Sequence, residues 1–182
     1  MDTKTNDLIQ ELIQTYTNEY NTKLLLPYNR KLASQIIPII KAQNDYIKKL
    51  ESTNINKLYL SIYQLEYERI SYFLNSYLRT RLVKINKEHE FCDKNLLSDY
   101  ELKFLESINV FELNGFLKDS KEMFCSDRND KFKNEYVGFY VICDRKSVVI
   151  DGNPLDINYG DVYVSLLSDV YDLLINKDIV LI

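Results

Sequence analysis

Glu66, Glu68, Arg69, Arg79, Arg81 and Lys84 fall within one short stretch of the chain, and their types and spacing invite a chemical reading first. Glu66 and Arg69 are spaced i,i+3, so on a helix they can pair across one turn and stay solvated, a contact worth roughly 0.2–0.5 kcal/mol. Arg69 projects among apolar residues, and Arg81 falls close to a second apolar set. A guanidinium beside an apolar helix face can fork to a carboxylate or a backbone carbonyl, which is a usual ingredient of a protein interface. Burial makes such a pair matter for specificity more than for net stability. The chemistry on offer is recognition, not bond making.

The rest of the catalytic inventory is thin. His89 is the single histidine and sits between Glu88 and Glu90, so neither an HExxH motif nor a two-histidine metal set can be built. Gly115, Gly138, Gly152 and Gly160 make no phosphate-cradling pattern. Asp151, Asn153 and Asp156 hint at a calcium loop, but Pro154 and Leu155 intervene and no closing glutamate follows, so a turn is the better reading. Cys125 has no identifiable base, and Cys92, Cys125 and Cys143 are odd in number, far apart and without CxxC spacing. No enzymatic activity, metal or cofactor is expected.

The formal net charge of −4 argues against nucleic acid as main partner, because phosphate binding needs a clustered basic surface. A self-contained helical nucleic-acid-binding protein, using Lys and Arg of the third and fourth helices, is the alternative. Fifteen tyrosines without a tryptophan supply rings with a polar tip, suited to half-buried positions and interfaces, although the abundance of Asn, Lys and Ile fits a codon bias equally well. The acidic, polar start lacks a secretory signal, and no apolar run approaches membrane-spanning length, so an intracellular protein with no membrane partner is expected.

The elements that position these residues follow from apolar periodicity. Residues 58–85 form an uninterrupted helical segment, extending to about Glu88, that is apolar on two sides. Leu60, Tyr63, Tyr67, Ile70, Leu74, Tyr77, Leu78, Leu82 and Ile85 gather on one broad face, with Leu58, Ile62, Leu65, Tyr72, Phe73 and Val83 roughly opposite. A surface helix needs one apolar stripe about 100° wide, so the second stripe must meet another helix or another chain. Before it, helix one spans 7–20 with Thr5 or Asn6 as N-cap, and helix two spans 29–51 with Pro38 expected to kink or split it. A fourth helix starts near Ser98, where Glu101 completes the capping-box spacing, and runs through Leu113, with Gly115 as a break or a tolerated interior glycine. Residues 118–135 read as a charged linker or a frayed helix end. Beyond it the apolar period shifts toward two over 137–143, a hairpin turn at 144–147 leads to 148–150, and a loop at 152–154 precedes a strand near 161–164. A helix over 165–175 and a strand over 179–182 close the chain. The expected fold is mainly α: a helical A domain over 1–117, the linker 118–135, and a small β-rich B domain over 136–182.

The string SIYQLEYERISYFLNSYLRTRLVKI at 61–85 resembles the signature helix of the Sld-five family of GINS replication-complex subunits, with its pattern Q-x-E-x-ERI-x-Y-x-L-x-x-YLR-x-RL-x-KI. The matches run from Gln64, Glu66, Glu68, Arg69 and Ile70 to Arg81, Leu82, Lys84 and Ile85. LLSDYELKFLES at 96–107 is similar to the family's serine-capped fourth helix, and Val180-Leu181-Ile182 to its closing strand. The resemblance implies an A domain followed by a B domain. It also implies a nuclear, non-enzymatic scaffold within a heterotetramer. Its implied partners are the Psf-one, Psf-two and Psf-three subunits, with direct contact to the first two. The tetramer joins the MCM hexamer and the Cdc-forty-five protein in the replicative helicase, meeting DNA only indirectly. Two departures from the family pattern are expected: helix one is read as starting almost at the first residue, which leaves no extended tail for a tether to a polymerase-alpha adaptor hub, and the B-domain loops are short. With the broad stripe turned to the chain's own helices, Ile62, Leu65, Glu66, Arg69, Tyr72, Phe73, Arg79, Arg81 and Val83 are expected to face a sister subunit.

Overall fold

A computed structural model of the chain describes residues 3–52, 57–89, 92–113 and 134–182. Among the described residues four helices come first, α1 (Thr3–Asn21), α2 (Arg30–Glu51), α3 (Lys57–Glu88) and α4 (Asp99–Leu113), with a 3-10 turn at Lys94–Leu96 before the last. Then follow β1 (Tyr136–Val141), β2 (Arg145–Ile150), β3 (Asn153–Ile157), β4 (Val162–Leu166), α5 (Leu167–Ile175) and β5 (Ile179–Leu181). A mainly helical amino-terminal part thus precedes a small antiparallel β-rich module, the fold class read from periodicity.

The chain divides into two compact units, Met1–Tyr16 with Tyr28–Thr80, and Thr17–Pro27 with Arg81–Ile182. In the first, α1 brings Ile9 and Leu12, α2 brings Leu32 and Ile36, and α3 brings Ile70 into one core, with Phe73 and Leu74 partly buried against it. Burying each such large apolar side chain is worth about 1.5–3 kcal/mol. The Asn29 carboxamide caps α2 by accepting from the Leu32 amide at 3.2 Å and donates to Glu11 Oε1 at 3.1 Å. Pro38 does not split α2, which remains one helix over 22 residues. Burial of Leu32, Ala33, Ile36 and Ile47 along the helix outweighs the lost backbone bond. Helix α1 begins at Thr3, so the N-cap expected at Thr5 or Asn6 lies inside the helix.

In the second unit the sheet order is β4-β1-β5, all antiparallel, with β2 and β3 forming a separate hairpin. The hairpin expected at 144–147 is corrected: β2 pairs with β3, and the tight turn is Asp151-Gly152, with φ 50° and 78°. Positive φ at both central residues is the two-residue hairpin geometry that an Asp-Gly pair favours. Of the residues read as a loop at 152–154, Gly152 lies in the turn while Asn153 and Pro154 open β3, and β4 runs on through Leu166 before α5 begins. Val137, Phe139 and Val141 of β1, Ile179 and Leu181 of β5, and Leu167, Val170 and Leu174 of α5 close one core with Leu26. The outer edge of β5 is covered at Leu181, whose amide donates to Asn18 Oδ1 at 2.9 Å and whose carbonyl accepts from Asn21 Nδ2 at 3.1 Å. Two α1 side chains thus occupy bonds that a further strand would otherwise make. Gly115, Cys125 and the linker up to residue 133 lie outside the described residues.

Candidate protein-docking surface

Helix α3 is where the predicted residues lie, and burial separates its two stripes. Within the first unit, Ile70 and Tyr77 keep 1% and 2% of their surface, and Tyr77 stacks on Tyr28 with ring centroids 6.3 Å apart. Leu58, Ile62, Leu65 and Tyr72, at i, i+4, i+7 and i+14, are instead 53–65% exposed. Aliphatic side chains left in water at helical spacing form a surface that is stabilised by contact with another apolar face. Beside them Arg69 and Arg79 are exposed and Glu66 is half-buried. In the part of α3 belonging to the second unit, Val83 is exposed while Ile85 is fully buried with Leu25, Leu97 and Leu105.

Two of the predicted docking residues are placed elsewhere. Phe73 packs on the chain's own core, its ring 5.9 Å from that of Tyr16, because its position on α3 leans from the outer stripe toward α1. Tyr72 stays outside and covers its edge, the two rings being 5.5 Å apart. Arg81 is wholly buried, so it is not an exposed docking residue. Its five N–H donors are all used inside the second unit. Nε donates to Glu101 Oε1 at 2.7 Å and Nη2 to Glu101 Oε2 at 3.3 Å, Nη1 reaches Glu19 Oε2 at 3.1 Å and the Leu26 carbonyl, and Nη2 also reaches the Leu96 carbonyl at 2.9 Å.

One turn further along α3, the Lys84 ammonium donates to Glu19 Oε1 at 2.7 Å, to the Leu24 carbonyl at 2.9 Å and to the Glu19 carbonyl. Burial pushes its pKa below the ordinary lysine value, with the Glu19 carboxylate opposing that shift. Two cations and two carboxylates balance. Glu101 has a second task, since its Oε2 accepts from the Ser98 amide at 2.7 Å and from Ser98 Oγ at 2.9 Å at the start of α4. The expected capping box is therefore present and also forms one wall of the ion network. The fork to a carboxylate and to backbone carbonyls read from the sequence is made within the chain.

Sequence reasoning missed Glu19, which carries no motif of its own, and saw in Glu101 only a cap. The remaining candidates form no site among the described residues. Asp156 Oδ1 accepts from the Ser147 amide at 2.8 Å and Asp169 Oδ2 from the Asp151 amide at 3.0 Å, so these carboxylates brace the hairpin. No group of three metal-ligating side chains occurs among the described residues, and none of their helices is long and apolar enough to cross a membrane. Cys92 is half-buried, its thiol pKa raised by burial and by Glu88, and Cys143 is exposed.

A helical chain with a small β module and an uncovered apolar stripe on its longest helix is the class of molecule these observations define. No protein-family model matches the chain. Curated proteins do match it. It is 28% identical over 120 residues to the DNA replication complex GINS protein sld5 of Schizosaccharomyces pombe, covering 60% of this chain and 56% of that protein. Against the protein named DNA replication complex GINS protein SLD5 in Dictyostelium discoideum it is 24% identical over 175 residues, 86% of this chain and 82% of the relative. The SLD5 protein of Rattus norvegicus is 37% identical over 82 residues, 44% of this chain and 35% of the relative. The chain thus spans about half the length of the fission-yeast relative. The chain is thus similar to several proteins named GINS SLD5, in line with the resemblance read from its sequence.

Proposed function

We propose that the chain is a structural subunit of a GINS-type heterotetramer acting in DNA replication in the nucleus, and that it performs no catalysis and needs no cofactor. The observation that carries this reading is the exposed stripe Leu58, Ile62, Leu65 and Tyr72 on the helix that bears the family's signature string. In this reading Ile62, Leu65, Glu66, Arg69, Tyr72, Arg79 and Val83 meet a sister subunit. Residues 1–117 serve as the helical A domain, 118–135 as linker and 136–182 as the B domain. The partners are the Psf-one, Psf-two and Psf-three subunits, and through the tetramer the MCM hexamer and the Cdc-forty-five protein of the replicative helicase. DNA contact is indirect.

Co-expression with the three sister subunits tests the proposal. A stoichiometric complex on size exclusion is the expected result. A chain that stays monomeric beside a soluble set of its three sisters sinks it.

A further inference from the structure

Helix α2 turns Arg30, Lys31, Lys41, Lys48 and Lys49 into solvent. Counted around the helix from Arg30, all five fall in one sector about 100° wide. Asp45 is the one acidic residue between 30 and 49, and it lies in the same sector, so five cations face one carboxylate there in a chain whose formal net charge is −4. Exposed helix faces ordinarily mix signs, as α3 does with Glu66, Glu68 and Arg69, because i,i+3 and i,i+4 pairs of opposite charge stabilise them. The outer face of α2 is instead nearly of one sign.

The charges are not evenly strung. At about 1.5 Å per residue, the groups Arg30/Lys31, Lys41 and Lys48/Lys49 stand about 15 Å and about 10 Å apart. The wider gap holds two exposed apolar residues, Ile37, at 38% exposure, and Pro38. Tyr46, 47% exposed and edge-on to Tyr63 at 5.4 Å, borders the narrower one. We propose that this face of α2 docks an acidic segment of another protein, one that carries carboxylate clusters on either side of an apolar residue. The carboxylates meet Lys31, Lys41 and Lys48, since Arg30 and Lys49 are already engaged within the chain, and the apolar residue covers Ile37 and Pro38. A nucleic-acid duplex fits less well, because each of its strands presents a charge every ~3.4 Å of helix axis and would set phosphates over the apolar gap. A short acidic segment also feels only the local field, screened beyond about 10 Å, and not the net negative charge of the chain.

The inference does not rest on the assembly reading, and its test uses the full chain alone. A fluorescein-labelled synthetic peptide with two Glu/Asp clusters flanking a leucine is titrated by anisotropy, beside a Lys-for-acid version, single-stranded DNA and duplex DNA. Binding of the acidic peptide is expected, weakening about tenfold in the double variant Lys41→Glu with Lys48→Glu and weakening as salt rises. Ile37→Ser is expected to weaken it about threefold without changing the salt dependence. Lys31→Gln with Lys48→Gln, which neutralises without reversing charge, repeats the test if circular dichroism shows that reversal disturbs the helix. Absence of peptide binding at low salt, or equal binding by the charge variants, overturns the proposal. So does DNA bound as tightly as the peptide and lost in the same variants, which would identify a phosphate-reading surface.

Discussion

Arg79 and Arg81 stand two residues apart on α3 and meet opposite fates. One is in water; the other keeps none of its surface and satisfies all five donors on Glu19, Glu101 and two backbone carbonyls. The difference is one of helix angle, about 200° between them. It teaches that a signature string can mix two kinds of constraint. Arg81, Lys84 and Ile85 maintain the fold of the second unit, while Ile62, Leu65, Arg69 and Arg79 stay outside their own unit's core.

Removing the buried cation breaks the comparison most severely. Arg81→Leu leaves Glu19 and Glu101 facing each other without their shared guanidinium, and deleting one partner of a buried ion pair costs about 3–5 kcal/mol. Urea denaturation followed by circular dichroism is expected to show that loss, or no folded second unit at all. Arg79→Leu, two residues away, is expected to stay within about 0.5 kcal/mol of wild type. Equal effects at the two positions would show that the network is not what burial of Arg81 implies.

A smaller loss is expected at the sheet edge. Asn18→Ala leaves the buried Leu181 amide without its acceptor, at a cost of about 1–3 kcal/mol. Hydrogen exchange at Leu181 should speed up more than at Phe139, which lies inside the sheet.

Lys84 gives the network a pH signature. Its folded-state pKa lies below the ordinary lysine value that it has when unfolded, so between those two values the unfolded chain binds the extra proton. Stability contributed by this group therefore rises with pH across that window and is lost as pH falls through the folded pKa. The difference in unfolding free energy between wild type and Lys84→Met should grow in favour of wild type as pH climbs toward the ordinary lysine range. A flat difference would mean that Lys84 has the same pKa in the folded and the unfolded chain.

The same contrast explains what the sequence could disclose. The long α3, its two stripes and the capping box at Ser98 and Glu101 were legible because periodicity and capping are local rules. The destination of Arg81 was not. Its partners come from positions 19, 26, 96 and 101, and no local rule says that a chain will return to one point from four directions. Phe73 was misplaced for a related reason, because it sits at the seam between stripes, where a small rotation decides between core and surface. The β2–β3 hairpin was a misread local signal: Asp151-Gly152 is a strong two-residue turn, overlooked in favour of the charged run at 144–147.

The weakest effect on stability bears most on function. Leu65 is 65% exposed, so Leu65→Ser removes little that the isolated chain uses, and its unfolding free energy should stay within about 0.5 kcal/mol of wild type. If the outer stripe is a docking surface, the same change exposes a hydroxyl where a partner's apolar side chain must sit, and adding Ile62→Ser deepens the loss. Tetramer yield on co-expression should then fall while the monomer's melting curve does not move. A variant that assembles normally would show the stripe to be ordinary exposed surface, whereas one that unfolds would show that the stripe belongs to the core after all. Arg81→Leu must give the reverse pattern, with instability first and failed assembly only as its consequence. Measuring both quantities on both variants separates the residues that hold the helix from those that use it.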